Sequence, residues 1–290
     1  VESINQSLVM AAQGAQWRDV SPTYTNIALM TAFLMNYVGV KMDKPLIRET
    51  GLLKAWHCYN LFNRQEAFCE FNSPTYDGVS MVALALWREL GPCSEMKTMG
   101  REMELAFWEN IALFYHPGFK NMVGPFFRSY GMDMTKYNAI IGIWMALALN
   151  DLDSAPLPRI SGAGYFELSN VLTAVQVGHS ISQTTKEQLL HFNNSRVIKK
   201  EIPTALDVIS KTHKVSAILT KDWMMGGVKD MHKQPRESLN QIKAGTVYWN
   251  STIDNSLAWL MVPSYGFQQV EVKENQMRIW REDGNSSLTF

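Results

Sequence analysis

The chain of 290 residues carries 27 basic and 27 acidic residues, a formal net charge of +0, and its isoelectric point lies near 7.2. That balance excludes a general nucleic-acid or membrane-surface binder, which would show a basic excess. Hydrophobic content of 46% against 19% charged residues excludes disorder. At roughly 100–200 residues per domain, the length fits one large domain or two modest ones.

In chain order, residues 1–192 read as helical. Apolar residues fall at helical spacing over 24–41, 46–62, 79–90, 96–115 and 135–149. Ser21-Pro22 and Ser73-Pro74 fit a capping Ser followed by Pro in the first turn, and His116-Pro117-Gly118 fits a helix stop. Ser21-Pro22-Thr23-Tyr24 recurs 52 residues later as Ser73-Pro74-Thr75-Tyr76. That spacing suits one helical hairpin per repeat, and stacked hairpins build a solenoid or close into an α/α toroid. The segment 150–159, rich in Asp, Asn and Pro, reads as a surface loop.

Beyond residue 192 the period shifts toward 2. Arg196–Ile202, Lys214–Thr220, Gly245–Asn250, Ser256–Val262, Phe267–Val272 and Gln276–Arg281 read as strands, with Trp223–Gly227 as a break between them. Helices followed by strands imply segregated layers rather than alternating βαβ units. The expected fold is therefore α+β: an α/α-toroid domain over 1–192 and an antiparallel β-sheet domain over 193–290.

No P-loop, dinucleotide-binding, zincin or nucleophile-elbow motif is present; Gly162-Ala163-Gly164 lacks a third glycine. Asp151-Leu152-Asp153 lacks the further acidic residues of a terpene cyclase. Cys58, Cys69 and Cys93 are odd in number and spaced neither as a disulfide framework nor as a zinc site. This points to a cytoplasmic protein with no metal and no cofactor. A secreted form would carry its leader ahead of Val1. The apolar run 27–40 is broken by Thr31 and Asn36 and is too short to span a bilayer.

Polar residues concentrate in three apolar helical settings: Glu70–Tyr76, Tyr115–Gly118 and Gly124–Met134. Each falls at a loop-to-helix junction, and in a toroid such junctions ring one mouth. Asn72, Tyr76, His116, Arg128 and Tyr130 are the candidate catalytic residues. Asn pairs donors with acceptors, Arg presents a planar fork, and Tyr and His transfer protons. Asp133 and His179 join them as candidate binding groups. The plainer structural alternative makes Asn72 and Ser73 helix caps and pairs Arg128 with Asp133. His57, His191, His213 and His232 read as structural or surface residues.

The strings EFNSPTYDGV, YHPG, GPFFRSYGMDM and DWMMGG resemble a poorly characterised family of fungal and bacterial proteins, over about residues 20–280. The resemblance implies an α/α toroid joined to a C-terminal β-sheet domain, a plan similar to heparinase II/III-like polysaccharide lyases. This chain departs from the family pattern at Asp77, where the family carries an aromatic.

Two functions follow as expectations. The first is a cofactor-free cyclase or isomerase of secondary metabolism, possible chemistry including a [4+2] cycloaddition, on a hydrophobic terpenoid or polyketide. Trp56, Trp87, Trp108 and Trp144 would line its cavity, and a few hydrogen bonds would orient the substrate. The second is a polysaccharide lyase. Asn72 and Arg128 would neutralise a uronate, Tyr76 or Tyr130 would act as base, and His116 as acid.

Overall fold

The computed structural model describes residues 2–158, 169–204, 211–231, 241–263, 268–281 and 284–289. Eight helices come first: α1 (Glu2–Arg18), α2 (Thr25–Lys41), α3 (Pro45–Asn63), α4 (Pro74–Leu90), α5 (Ser94–Phe114), α6 (Ile140–Leu149), α7 (Ser169–Val177) and α8 (Gln183–Leu190). Between α5 and α6 lies a two-stranded ribbon, β1 (Tyr115–His116) with β2 (Asn121–Met122). The remaining strands are β3 (Arg196–Pro203), β4 (Thr212–Leu219), β5 (Trp223–Lys229), β6 (Lys243–Asn250), β7 (Leu257–Pro263), β8 (Gln268–Lys273), β9 (Gln276–Arg281) and β10 (Gly284–Thr289). The helices thus occupy the N-terminal part, and an antiparallel sheet region follows.

Helix α4 is the centre of the helical part. Ser73 caps it, accepting a hydrogen bond from the Tyr76 amide, and Pro74 fills the first turn, where a missing N–H costs nothing. Its buried face, including Met81, Leu84 and Trp87, meets α2, α5 and α6. The echoed Ser21-Pro22 behaves differently. Helix α2 begins only at Thr25, and the Ser21 hydroxyl bonds Thr23 instead.

Strands β3 to β7 form one antiparallel meander, and β8 to β10 form a second, three-stranded sheet. Pairing is regular, with Lys200 opposite Val215 and Ser216 opposite Gly227. Along β3, buried Ile198 and Ile202 alternate with exposed Val197 and Lys199, as a half-buried strand requires. The Val272 amide of β8 donates to the Ser216 hydroxyl of β4 at 2.8 Å, joining the two sheets.

Trp223–Gly227 was expected to break the sheet, yet it lies within strand β5, paired on both sides. Its glycines are there because other chains of atoms come too close for a side chain. A Cβ at Gly226 would lie 1.9 Å from the Gly124 carbonyl oxygen, and one at Gly227 would lie 2.4 Å from Val270. Glycine inside a strand marks such an approach.

The helices and sheets share a core. A single cluster of buried apolar residues extends from Ala28 of α2 to Met277 of β9. Arg196 of β3 donates to the carbonyls of Ala112 and Tyr115, and the Gly124 amide donates to the Thr246 hydroxyl of β6. The change of secondary structure near residue 192 is therefore crossed by continuous packing. Among the described residues no helix is long and apolar enough to cross a membrane.

Candidate functional site

The segment 123–130 is threaded between helices and sheet, and this is what assembles the site. The Phe126 and Lys243 amides and carbonyls exchange hydrogen bonds at 3.0 and 2.8 Å, and the Ser129 amide donates to the Gln241 carbonyl at 3.0 Å. On the other side, the Phe127 amide donates to the Phe71 carbonyl at 3.1 Å. The Ser73 hydroxyl, already capping α4, also donates to the Arg128 carbonyl. One serine therefore fixes the first turn of α4, with Tyr76 on it, beside Arg128.

Arg128 is held from several directions. Its Nη1 donates to Glu70 Oε1 at 2.6 Å, and its Nε donates to Gln241 Oε1 at 2.9 Å. The other Glu70 oxygen accepts from both the amide and the side chain of Asn26, at 2.8 and 2.6 Å. The guanidinium carbon lies 4.1 Å from the Tyr76 ring centre and 5.3 Å from that of Tyr24, within range for cation–π attraction. The two tyrosines of the Ser-Pro-Thr-Tyr echo thus flank one guanidinium. Burial works against its charge, but Glu70 and the Tyr24 hydroxyl outweigh that and hold it more firmly protonated.

A hydroxyl relay sits on this base. Arg128 fixes the orientation of the Gln241 amide by using its oxygen, so Gln241 Nε2 donates to the Tyr130 hydroxyl at 3.2 Å. The Tyr130 and Tyr76 hydroxyls are 3.0 Å apart. Either hydroxyl can donate in this pair, since the Tyr130 oxygen can accept from Tyr76 as well as from Gln241. Burial and the Tyr130 hydroxyl push the Tyr76 phenol above its ordinary value, against the opposing pull of Arg128. A phenol held neutral in this way can donate a hydrogen bond. Tyr130 is 52% exposed and Tyr24 37%, so the tyrosine face is open to a ligand.

The other expected residues lie elsewhere. Asn72 adopts a left-handed backbone with φ of 52°, which Asn tolerates better than most residues. Its amide donates to the carbonyls of Val123 and Pro125 at 2.7 and 2.9 Å, facing inward. His116 is buried. Its Nδ1 accepts from the Phe119 amide at 3.3 Å, so Nε2 carries the proton and donates to the Thr220 carbonyl at 2.8 Å. The ring stacks on Phe192 at 4.1 Å, and burial holds its pKa below the ordinary value despite the Thr220 carbonyl.

Asp133 accepts from the Thr135 amide and hydroxyl and pairs with Lys136, not with Arg128. Burial, with Lys186 and Arg88 nearby, lowers the His179 pKa below its ordinary value. Trp87, Trp108 and Trp144 have 0%, 0% and 1% of their surface accessible. They belong to the packed core. Trp56 is half-exposed on α3, edge-on to Tyr59. His232 and Gly162–Gly164 lie outside the described residues.

Gln241, which positions Arg128 together with Glu70, was not among the expected catalytic or binding residues. Gln241 has no local sequence signal, whereas Tyr24 was marked by the echo. All three cysteines are thiols rather than disulfide partners, and burial pushes the Cys58 thiol up to about 12. No group of three or more His, Cys, Asp or Glu placed to hold a metal occurs among the described residues.

Residues 1–175, which include every site residue except Gln241, match the family described as "Domain of unknown function (DUF8769)". The chain belongs to that family. Within this DUF8769 match lie Tyr24, Glu70, Tyr76, Arg128 and Tyr130, while Gln241 comes from the sheet region beyond it. No curated protein and no solved structure matches the chain.

Proposed function

We propose that the chain is a cofactor-free cyclase or isomerase acting on a hydrophobic terpenoid or polyketide. The substrate rests on the tyrosine face, and one of its oxygens is polarised by the Tyr76 hydroxyl. The observation that supports this reading is the relay from Glu70 through Arg128, Gln241 and Tyr130 to a neutral Tyr76 donor. A pericyclic step such as a [4+2] cycloaddition needs no strong base. It needs a folded substrate and preorganised hydrogen bonds. The rings of Tyr24, Tyr76 and Tyr130 take the place of the core tryptophans as the apolar contact. The α2–α3 and α4–α5 hairpins, with α2 against α4, support an arc of an α/α toroid around this face.

A second reading, β-elimination on a uronate polymer, draws on one observation. A groove of about 320 Å³ on the sheets is lined by Lys199, Lys214, Lys229 and Lys273 together with Glu201 and Glu271, a setting for an acidic chain. It ranks second because His116 has both nitrogens engaged and Tyr76 is held neutral.

The test exposes wild type and Tyr76→Phe to conjugated polyene carbonyl compounds and, separately, to uronate polymers. The reading expects a polyene product of unchanged mass, formed about 10²–10³-fold more slowly by Tyr76→Phe, the usual cost of one lost transition-state donor. Unsaturated-uronate absorbance from a polymer, with the polyenes untouched, would overturn it.

A further inference from the structure

Beneath the tyrosine face, between the start of α4, helix α5 and strand β2, lies a small cavity. Its walls include the buried side chains of Phe71, Phe107, Ile111 and Phe114, together with Asn72 and Asp77. It offers about 10 Å³ to the centre of a water-sized molecule, which is room for about one water. Asn72 is 5% exposed and Asp77 2%. Asn72 Oδ1 and Asp77 Oδ2 are both fully buried and without a hydrogen-bond partner among the described residues.

We propose that Asp77 and Asn72 bind one water molecule in this cavity, bridging Asp77 Oδ2 and Asn72 Oδ1. A cavity lined only by apolar atoms stays dry, but buried polar atoms left unpaired each carry a desolvation cost that a bridging water removes. The polarity of the bridge is set by the protein. Both amide hydrogens of Asn72 are committed to the Val123 and Pro125 carbonyls, so its oxygen can only accept. Burial holds the Asp77 carboxyl well above the usual carboxylate range, against the Ser73 backbone amide, with Glu70 pushing the same way as burial. A protonated Asp77 donates to the water, and the water donates to Asn72.

The bridge would act as a strut. It ties α4 to the residue that holds the carbonyls of segment 123–125, which leads directly into Arg128. The inference stands apart from the proposed reaction, since it concerns only these two side chains and the water between them.

A high-resolution crystal structure of the wild-type protein tests it, with NMR cross-relaxation from a long-lived water to the Ile111 and Met122 methyl groups as the solution counterpart. The expected result is an ordered water at about 2.6–3.2 Å from both oxygens, retained in Asp77→Asn, whose side-chain amide can still donate. A direct Asp77–Asn72 hydrogen bond, or a wild-type cavity with no water by either measurement, would overturn it. The wild-type measurements decide the question even if the variant does not fold.

Discussion

At the scale of single residues, Asp77 shows how an environment turns a carboxylate into a neutral acid. Its folded pKa is raised above the ordinary carboxyl value by burial. Between the ordinary carboxyl pKa and the raised one, the native state holds a proton that the unfolded chain has released. The stability associated with that proton is fully present below the ordinary carboxyl pKa, and it is lost as pH rises through the raised value. Asp77→Asn removes this linkage. Denaturant melts of the variant across pH are expected to be flatter than wild type, with the variant the more stable of the two at neutral pH; parallel curves would contradict the assignment. Tyr76, Arg128 and Tyr130 were legible in the sequence as polar residues set into apolar helical surroundings. Of their supports, Gln241 was not. Gln241 reaches Arg128 across 113 residues of chain, and pairing at that distance leaves no local pattern. His116 was legible as unusual, but its partners Thr220 and Phe192 were not, because they come from distant segments.

At the scale of elements, strand β5 carries the sharpest test. The Gly226 position is filled by the Gly124 carbonyl at 1.9 Å from where a Cβ would sit. That neighbour is backbone of the same segment that delivers Arg128, so it cannot move cheaply. Gly226→Ala is expected to cost about 3 kcal/mol, the upper part of the usual range for overpacking, read as a lowered urea midpoint. A change within about 0.5 kcal/mol, typical of surface substitutions, would contradict the packing. The glycine pair misled the sequence reading because glycine marks both turns and close backbone approach. Helices with an apolar stripe, such as α4 and α5, were placed within a few residues of their ends. Helix α1 was not picked out as a segment of its own. Ala12 is its buried residue, and a helix polar around most of its circumference shows little periodicity. Helix α8, with the sequence QTTKEQLL, is too short and polar to stand out.

At the scale of the whole molecule, the order of helices then strands was readable because the apolar period changes from 3.6 to 2 near residue 192. What the order could not show is that one hydrophobic cluster runs through both parts. That continuity makes unfolding cooperative: near-ultraviolet signals from core Trp108 of α5 and from Trp223 of β5, separated by single Trp→Phe variants, are expected to melt together. Two separated transitions would contradict a common core. The family match to residues 1–175 covers α1 to α6 and most of α7 but neither α8 nor Gln241, so the relay is completed by a part of the fold outside that match. On the proposed reading this relay ends in a neutral phenol at Tyr76. The measurement that tests it most directly is the pH titration of tyrosine labelled with carbon-13 at Cζ, with Tyr76→Phe assigning the resonance. Tyr76 should remain un-ionised through pH of about 10, where an ordinary tyrosine is half-ionised. Ionisation at or below that value would contradict the account and make Tyr76 a candidate base instead.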